Sequence, residues 1–316
     1  MRDRLLAALV AVCWGLNFPA IHLSLEQFPP FFLVALRFAL IAVPTVLLVP
    51  RPTAPWRWVG LYGLGFGVLQ FAFLYLAMSS GMPTGLASLV LQSSAPFTVL
   101  LAGVLLRERI TARQGAGILL AVVGLTGIAA YRAGQVGGAA LVPVLLTLCA
   151  GLGWAVGNLG SRRAGQAQPG EPFRLMLWMS VVPPLPLLAL SLVVEGPARI
   201  AGSFSGLGST QGLLALGGLA FTVVVATLVG SGLWTTLMGR HPSSTVAPFS
   251  MLVPVVGIGA SWLLLRERTS ATEMACGALV VAGVLLGSTR RRRSASDVAA
   301  ATPPARPLDP SPASRA

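Results

Sequence analysis

The 316 residues are 55% hydrophobic and only 10% charged, too few charges to cover the surface of a soluble protein of this size. The formal net charge of +13 comes from Arg alone, since the chain has no Lys. Those Arg lie between apolar runs rather than along one solvated face, which argues against a nucleic-acid partner and for a lipid bilayer.

At the N-terminus, Arg2 and Arg4 precede the apolar run from Leu5 to Val12, the outline of a secretory signal. The run continues through Trp14 and Asn17 with no small-residue cleavage site, so it reads as an uncleaved first membrane span. Crossing a hydrocarbon core of about 30 Å takes about 20 helical residues. Ten segments meet that length: 5–24, 31–49, 58–78, 83–105, 114–131, 140–160, 173–194, 211–236, 242–265 and 271–289. The connections carry turn and charge signals, such as Phe28-Pro29-Pro30, Arg51-Pro52 and Gln168-Pro169-Gly170. Cys13, Cys149 and Cys276 lie inside apolar runs without metal-ligand spacing and read as small buried hydrophobes.

Five residues within the spans are candidates for contact with a solute. Asn17 and Asn158 are amides in the first and sixth spans, each close to a Trp. Arg37 is a formal charge inside the second span, able to attract a carboxylate or to snorkel outward. In the fourth span Thr84, Ser88 and Gln92 recur every four residues and form one polar stripe, which should face protein or water rather than lipid. The amide of Gln92 both donates and accepts, which suits a small zwitterion. Hydrogen bonding between helices is the competing role for Asn17, Ser88, Gln92 and Asn158. Glu108 and Glu267, each inside an Arg-Glu-Arg triplet, read as ion-paired interfacial residues, and Trp56, Trp58, Trp178 and Trp262 as interfacial anchors.

The fourth span also exposes a duplication. At an offset of 159 residues Leu74 pairs with Leu233, Pro83 with Pro242 and Thr84 with Ser243. Leu106-Arg107-Glu108-Arg109 pairs with Leu265-Arg266-Glu267-Arg268, and Gly124 with Gly283. The copy keeps this frame but drops the polar stripe: Ser88 becomes Ala247 and Gln92 becomes Met251. Trp14 and Asn17 are answered by Trp154 and Asn158, and Pro30-Phe31 by Pro172-Phe173.

The expected organisation is a first five-helix repeat at 1–131, a second at 140–289, and a basic, Pro- and Ala-rich tail at 290–316 that is disordered and cytoplasmic. Arg2, Arg4, Arg51, Arg57, Arg107, Arg109, Arg113, Arg162, Arg163, Arg240 and Arg290 to Arg293 fall on one side of the ten spans. Arg132, Arg199, Arg266 and Arg268 fall on the other, which predicts both termini in the cytoplasm. Five is odd, so the second copy enters the membrane from the opposite side. The fold class is therefore an all-α integral membrane protein of ten transmembrane helices, built as two inverted five-helix repeats.

Inverted repeats are a common plan for secondary transporters, with the solute held near the midplane and exposed alternately to each side. No Walker loop is present, no cofactor is expected, and two His with no clustered acids give no basis for a membrane enzyme.

Trp14-Gly15-Leu16-Asn17-Phe18, Leu36-Arg37-Phe38, Gly81-Met82-Pro83, Gly85 to Gln92, Gly157-Asn158 and Leu252 to Gly257 resemble runs of the drug/metabolite transporter superfamily, in its ten-span EamA branch. The resemblance covers residues 5–290. It implies an inner-membrane exporter of amino acids and their metabolites, of the cysteine and O-acetylserine type, whose partner is a small zwitterionic metabolite and which is able to pair as a homodimer. A broader drug or toxic-metabolite efflux transporter is the alternative, and it would favour an aromatic, apolar cavity. The match carries Asn17, Arg37, Ser88, Gln92 and Asn158 as substrate-binding candidates. Arg107 and Arg266 depart from it, standing where that family usually has Gly.

Overall fold

In hydrocarbon an unpaired backbone N–H or C=O is costly, so a chain this apolar satisfies its backbone within helices. The computed structural model describes residues 2–241 and 246–288, and the regular structure among the described residues is helical throughout. Among the described residues, ten helices are long and apolar enough to cross a membrane: α1 (Arg2–Leu25), α2 (Pro30–Leu48), α3 (Trp56–Ser79), α4 (Thr84–Leu106), α5 (Ala112–Gln135), α6 (Leu141–Ala167), α7 (Pro172–Val194), α8 (Thr210–Arg240), α9 (Pro248–Leu265) and α10 (Ala271–Ser288). The protein is an all-α, multi-pass membrane fold of ten spans. Pro242, Ser243, Arg290 to Arg293 and the expected tail lie outside the described residues.

Local chemistry explains where these helices start. Pro30 and Pro172 each occupy a first turn, where the missing N–H has no intrahelical partner to lose. Thr111 and Gln114 form a reciprocal capping box at the start of α5, and the Ser209 hydroxyl accepts the Gly212 N–H at 3.1 Å before α8. The ends differ most from expectation in α6, which runs to Ala167 instead of stopping at 160. No breaker occurs before Gln168-Pro169-Gly170, and the Gln168 side-chain Oε1 then accepts the Thr53 and Ala54 N–H groups at 2.8 and 3.1 Å.

The irregularities in the helices repeat with the sequence. A π-helical stretch occupies Gly63–Gln70 in α3 and another Phe221–Ser231 in α8, and the offset of 159 carries the first into the second. A 3₁₀ turn interrupts α4 at Leu91–Ser93 and another covers Ala247–Met251 at the start of α9. Arg107 and Arg266 end α4 and α9 in the left-handed conformation, with φ of 53° and 58°. That geometry favours glycine and explains why a Gly would be the usual residue at both positions.

Contacts exchange in the same way. A Cβ on Gly117 would lie 2.5 Å from the Gly283 carbonyl oxygen, and one on Gly124 would lie 2.5 Å from the Cys276 carbonyl oxygen. The offset maps 117 onto 276 and 124 onto 283, so exchanging the copies exchanges these two contacts. More broadly, α5 packs on α10 and α2 on α7, while α1 packs on α8 and α9 and α6 on α3 and α4. Each copy thus lends its first helix to the other, and the space between them is enclosed by helices from both.

On the side opposite the N-terminus the copies are tied together. The Gln27 amide donates to the Ser203 and Ser205 carbonyls at 2.6 and 2.9 Å, and the Ser24 hydroxyl to the Ala215 carbonyl at 3.0 Å. The Glu195 carboxylate accepts the Phe31 and Phe32 N–H groups at 2.8 and 3.0 Å, a charge at the positive end of α2. Phe204 packs edge-on against Phe28 and Phe32.

Candidate functional site

Helices α1, α2, α3, α4, α6, α8 and α9 surround a cavity of about 620 Å³. Asn17, Arg37, Ser88, Gln92 and Asn158, which the sequence scatters over four spans, all line it. At one end Arg37 and Ser88 are 3% and 1% exposed, while at the other the Arg162 side chain is 51% exposed. Arg162 and Met238 sit near the ends of α6 and α8 on the side holding the start of α1. The cavity opens on that side and closes towards the tied loops.

Arg37 is held at the closed end. Its guanidinium lies 3.9 Å from the centroid of the Phe71 ring and 5.3 Å from that of Phe38. Nη1 donates to the Tyr75 hydroxyl oxygen at 3.1 Å and Nη2 to Thr227 Oγ1 at 2.8 Å. Thr227 in turn donates to the Thr222 carbonyl at 2.7 Å, a five-residue step made available by the π-helical winding of α8. Nε has no partner, and among the described residues no carboxylate is within ion-pairing distance of the group. A charge at the centre of a span costs about 2.5–3.5 kcal/mol on insertion scales. A desolvated cation–π contact returns about 2 kcal/mol of that. Neutral partners fix the guanidinium without neutralising it, which leaves its charge for an anion.

Two buried acceptors share the cavity. The side-chain oxygens of Asn17 and Gln70 have no hydrogen-bond partner, and the residues are 8% and 2% exposed. An unsatisfied buried polar atom costs about 1–3 kcal/mol. Gln70 was not among the residues expected from sequence, although one comparison finds it: the offset places Val229 opposite it, so its amide is present in one copy only, as with Ser88 and Gln92.

The remaining expected residues are less free. Ser88 Oγ donates to the Gly85 carbonyl at 2.6 Å and packs against Gly257, where an added Cβ would lie 2.6 Å away. Asn158 Nδ2 donates to Thr98 Oγ1 at 3.1 Å, and Thr98 donates to the Ser94 carbonyl at 2.7 Å. Gln92, on the 3₁₀ turn of α4, reaches the Ser250 carbonyl only at 3.5 Å, beyond the usual hydrogen-bond range, and remains half-buried on the wall.

Aromatic rings make the rest of the wall. Trp234, Trp14, Trp154, Phe66 and Phe71 follow one another at centroid separations of 5.2, 6.4, 5.6 and 5.5 Å. Trp14 Nε1 donates to the Ala226 carbonyl at 3.1 Å, inside the π-helical stretch of α8. The polar stripe seen in sequence is thus set in an aromatic frame contributed by four helices.

Three expectations outside the cavity change. Of the cysteines expected to be buried only Cys13 is; Cys149 on α6 is exposed and Cys276 on α10 is half-buried. Glu108 pairs with Arg162 at 2.8 Å, but Glu267 accepts the Thr84 hydroxyl at 2.8 Å and the Gly85 N–H at 3.3 Å, capping α4 rather than pairing with its flanking Arg. Trp178 is buried, with Nε1 donating to the Pro50 carbonyl at 2.8 Å, because the α2–α3 connection folds over it.

A family model described as the EamA-like transporter family matches residues 4–130 and 141–289. The chain is 41% identical over 298 residues to a probable amino-acid metabolite efflux pump of Salmonella typhimurium, covering 93% of this chain and 98% of that protein. It is 40% identical over 288 residues to a protein of the same description in Escherichia coli, covering 90% and 94%. A probable terminal-alkyne amino-acid exporter of Streptantibioticus cattleyicolor is 27% identical over 299 residues, covering 91% and 95%. A solved crystal structure superimposes with a TM-score of 0.60 at 20% identity, covering 90% of this chain and 96% of that one, a likeness of fold alone.

Proposed function

This chain belongs to the EamA-like transporter family, and from that premise we propose that it exports amino acids and their metabolites, of the cysteine and O-acetylserine type, across the inner membrane by alternating access. It is a membrane transporter and not an enzyme. The observation that carries the substrate class is Arg37: a buried guanidinium at the closed end of an open cavity, held by an aromatic ring and two hydroxyls and facing no carboxylate among the described residues. It is a seat for a substrate carboxylate, with Asn17, Ser88, Gln92 and Asn158 along the path. The descriptions of the two relatives near 40% identity support the same class.

The Arg distribution supports a cytoplasmic mouth for the cavity and cytoplasmic termini. The form seen is then inward-open, the state that loads an exporter. The helices of the repeats at 1–131 and 140–289 then move against one another, and the contacts of Gln27, Ser24 and Glu195 must break for the outer side to open. A homodimer is compatible with this scheme and not required by it.

The aromatic wall favours one second reading, efflux of larger apolar compounds. The two readings part on Arg37, since a buried positive charge repels lipophilic cations. In cells overexpressing the protein, secreted cysteine or O-acetylserine rises, and Arg37→Gln lowers that rise by about tenfold or more, the loss expected for a charge-assisted hydrogen bond. Unchanged secretion, together with raised resistance to lipophilic cations, would favour the second reading.

A further inference from the structure

We infer that Gln70, together with Asn17, is the receptor for the substrate's ammonium group, so that the transporter selects a free amine as well as a carboxylate. This inference rests on the amino-acid export proposed above, and it names a specificity-determining residue that neither the sequence stripe nor the family match supplied.

Four observations converge on Gln70. It lines the cavity yet is 2% exposed, and its amide oxygen has no donor among the described residues. Asn17 Oδ1, on the neighbouring α1, is orphaned in the same way. Gln70 closes the π-helical stretch of α3, and the next residue, Phe71, is the ring on which the Arg37 guanidinium lies. Gln70 and the ring that carries the cation are therefore successive residues of one short piece of backbone, and both line the cavity. Finally, Gln70 and Arg37 are confined to one copy, although Asn17 has a counterpart in Asn158. Gln70 corresponds to Val229 at the offset of 159, and Arg37 corresponds to Met179 when Pro30-Phe31 is set on Pro172-Phe173. A role in the shared scaffold would place similar side chains in both copies.

The chemistry is complementary. Arg37 offers only donors, and its partners Tyr75 and Thr227 are occupied as acceptors. An α-amino acid brings a carboxylate for the guanidinium and, one carbon away, an ammonium with three donors and no acceptor. Asn17 Oδ1 and Gln70 Oε1 are acceptors without donors. Both oxygens are buried in the structure, so binding requires the Gln70 amide to turn its oxygen towards the ammonium. A substrate with an acylated nitrogen offers one N–H and no charge, and leaves at least one acceptor unpaired. Sites built around a hydrogen bond reject analogues that lack it far more strongly than apolar pockets do.

The test uses the full-length protein in proteoliposomes under reducing conditions, with L-cysteine and N-acetyl-L-cysteine as paired substrates. They share thiol and carboxylate and differ at the nitrogen. The wild type is expected to prefer cysteine by about tenfold or more, and Gln70→Leu to lose that preference by slowing cysteine while sparing N-acetylcysteine. Gln70→Met, nearly the same length and shape without the amide, guards against a folding defect and is expected to lose the preference in the same way. Equal slowing of both substrates by Gln70→Leu, or a preference kept in Gln70→Met, would overturn the role of Gln70. A wild type that moves neither compound would instead overturn the cysteine-type export on which the inference rests.

Discussion

Arg37 concentrates the argument at the scale of single residues. Its position in the second span allowed either a snorkelling side chain or an anion seat, and burial against Phe71 with two hydroxyl acceptors rules out the first. The sequence could not show this, because Phe71, Tyr75 and Thr227 come from α3 and α8. Ser88 moved the other way: its hydroxyl is satisfied by the Gly85 carbonyl, so within the stripe Gln92 is the freer group. We expect Gln92→Ala to lower cysteine export by about two- to tenfold at unchanged membrane abundance, the loss of one neutral hydrogen bond; unchanged export would remove Gln92 from the path. The left-handed Arg266 gives a separate prediction. Arg266→Gly relieves a conformation that costs a non-glycine residue about 1–2 kcal/mol. The thermal midpoint in detergent should rise by about 2–4 °C per kcal/mol gained, and a fall would show that the exposed side chain holds a contact of greater value.

Among the helices, what was legible is what periodicity and composition determine. Ten apolar runs of the right length gave ten spanning helices, and Pro and Gly in the connections marked several of their ends, whereas the Thr111-x-x-Gln114 capping box that starts α5 at Ala112 was missed. The π-helical stretches in α3 and α8 were not legible, because the winding of a helix responds to what packs on it. In α3 that neighbour is α6, where a Cβ on Gly65 would lie 2.2 Å from the Gly157 nitrogen. These stretches position Gln70, Ala226 and Thr227, which is why the floor of the cavity was only partly visible in sequence. The α5–α10 contact is a second element that can be tested. Gly283→Leu places a side chain against the Gly117 carbonyl and should lower stability and yield, whereas Gly134→Leu on the same pair, with nothing within 4 Å, should be tolerated. Equal tolerance of both, read by size-exclusion profile, would mean that close approach at this seam is dispensable.

For the molecule as a whole, duplication and an odd number of spans per copy made the inverted plan legible before any coordinates. Exchange of the copies maps the Gly117–Gly283 contact onto the Cys276–Gly124 contact, in keeping with that plan. Which side stands open was not legible, since it depends on loop contacts such as Gln27 with Ser203 that join segments far apart in the chain. With the Arg-rich side in the cytoplasm, a reporter fused after residue 293 should give a cytoplasmic signal, and a periplasmic signal would reverse the membrane orientation. The most direct measurement is accumulation of labelled L-cysteine by everted membrane vesicles, whose outer face is the cytoplasmic one. Vesicles carrying the wild type should accumulate cysteine above control vesicles, and those carrying an equal amount of Arg37→Gln should not. Accumulation that is no greater than the control in the wild type, or that survives intact in Arg37→Gln, would contradict the assignment of this cavity as the route for amino-acid export.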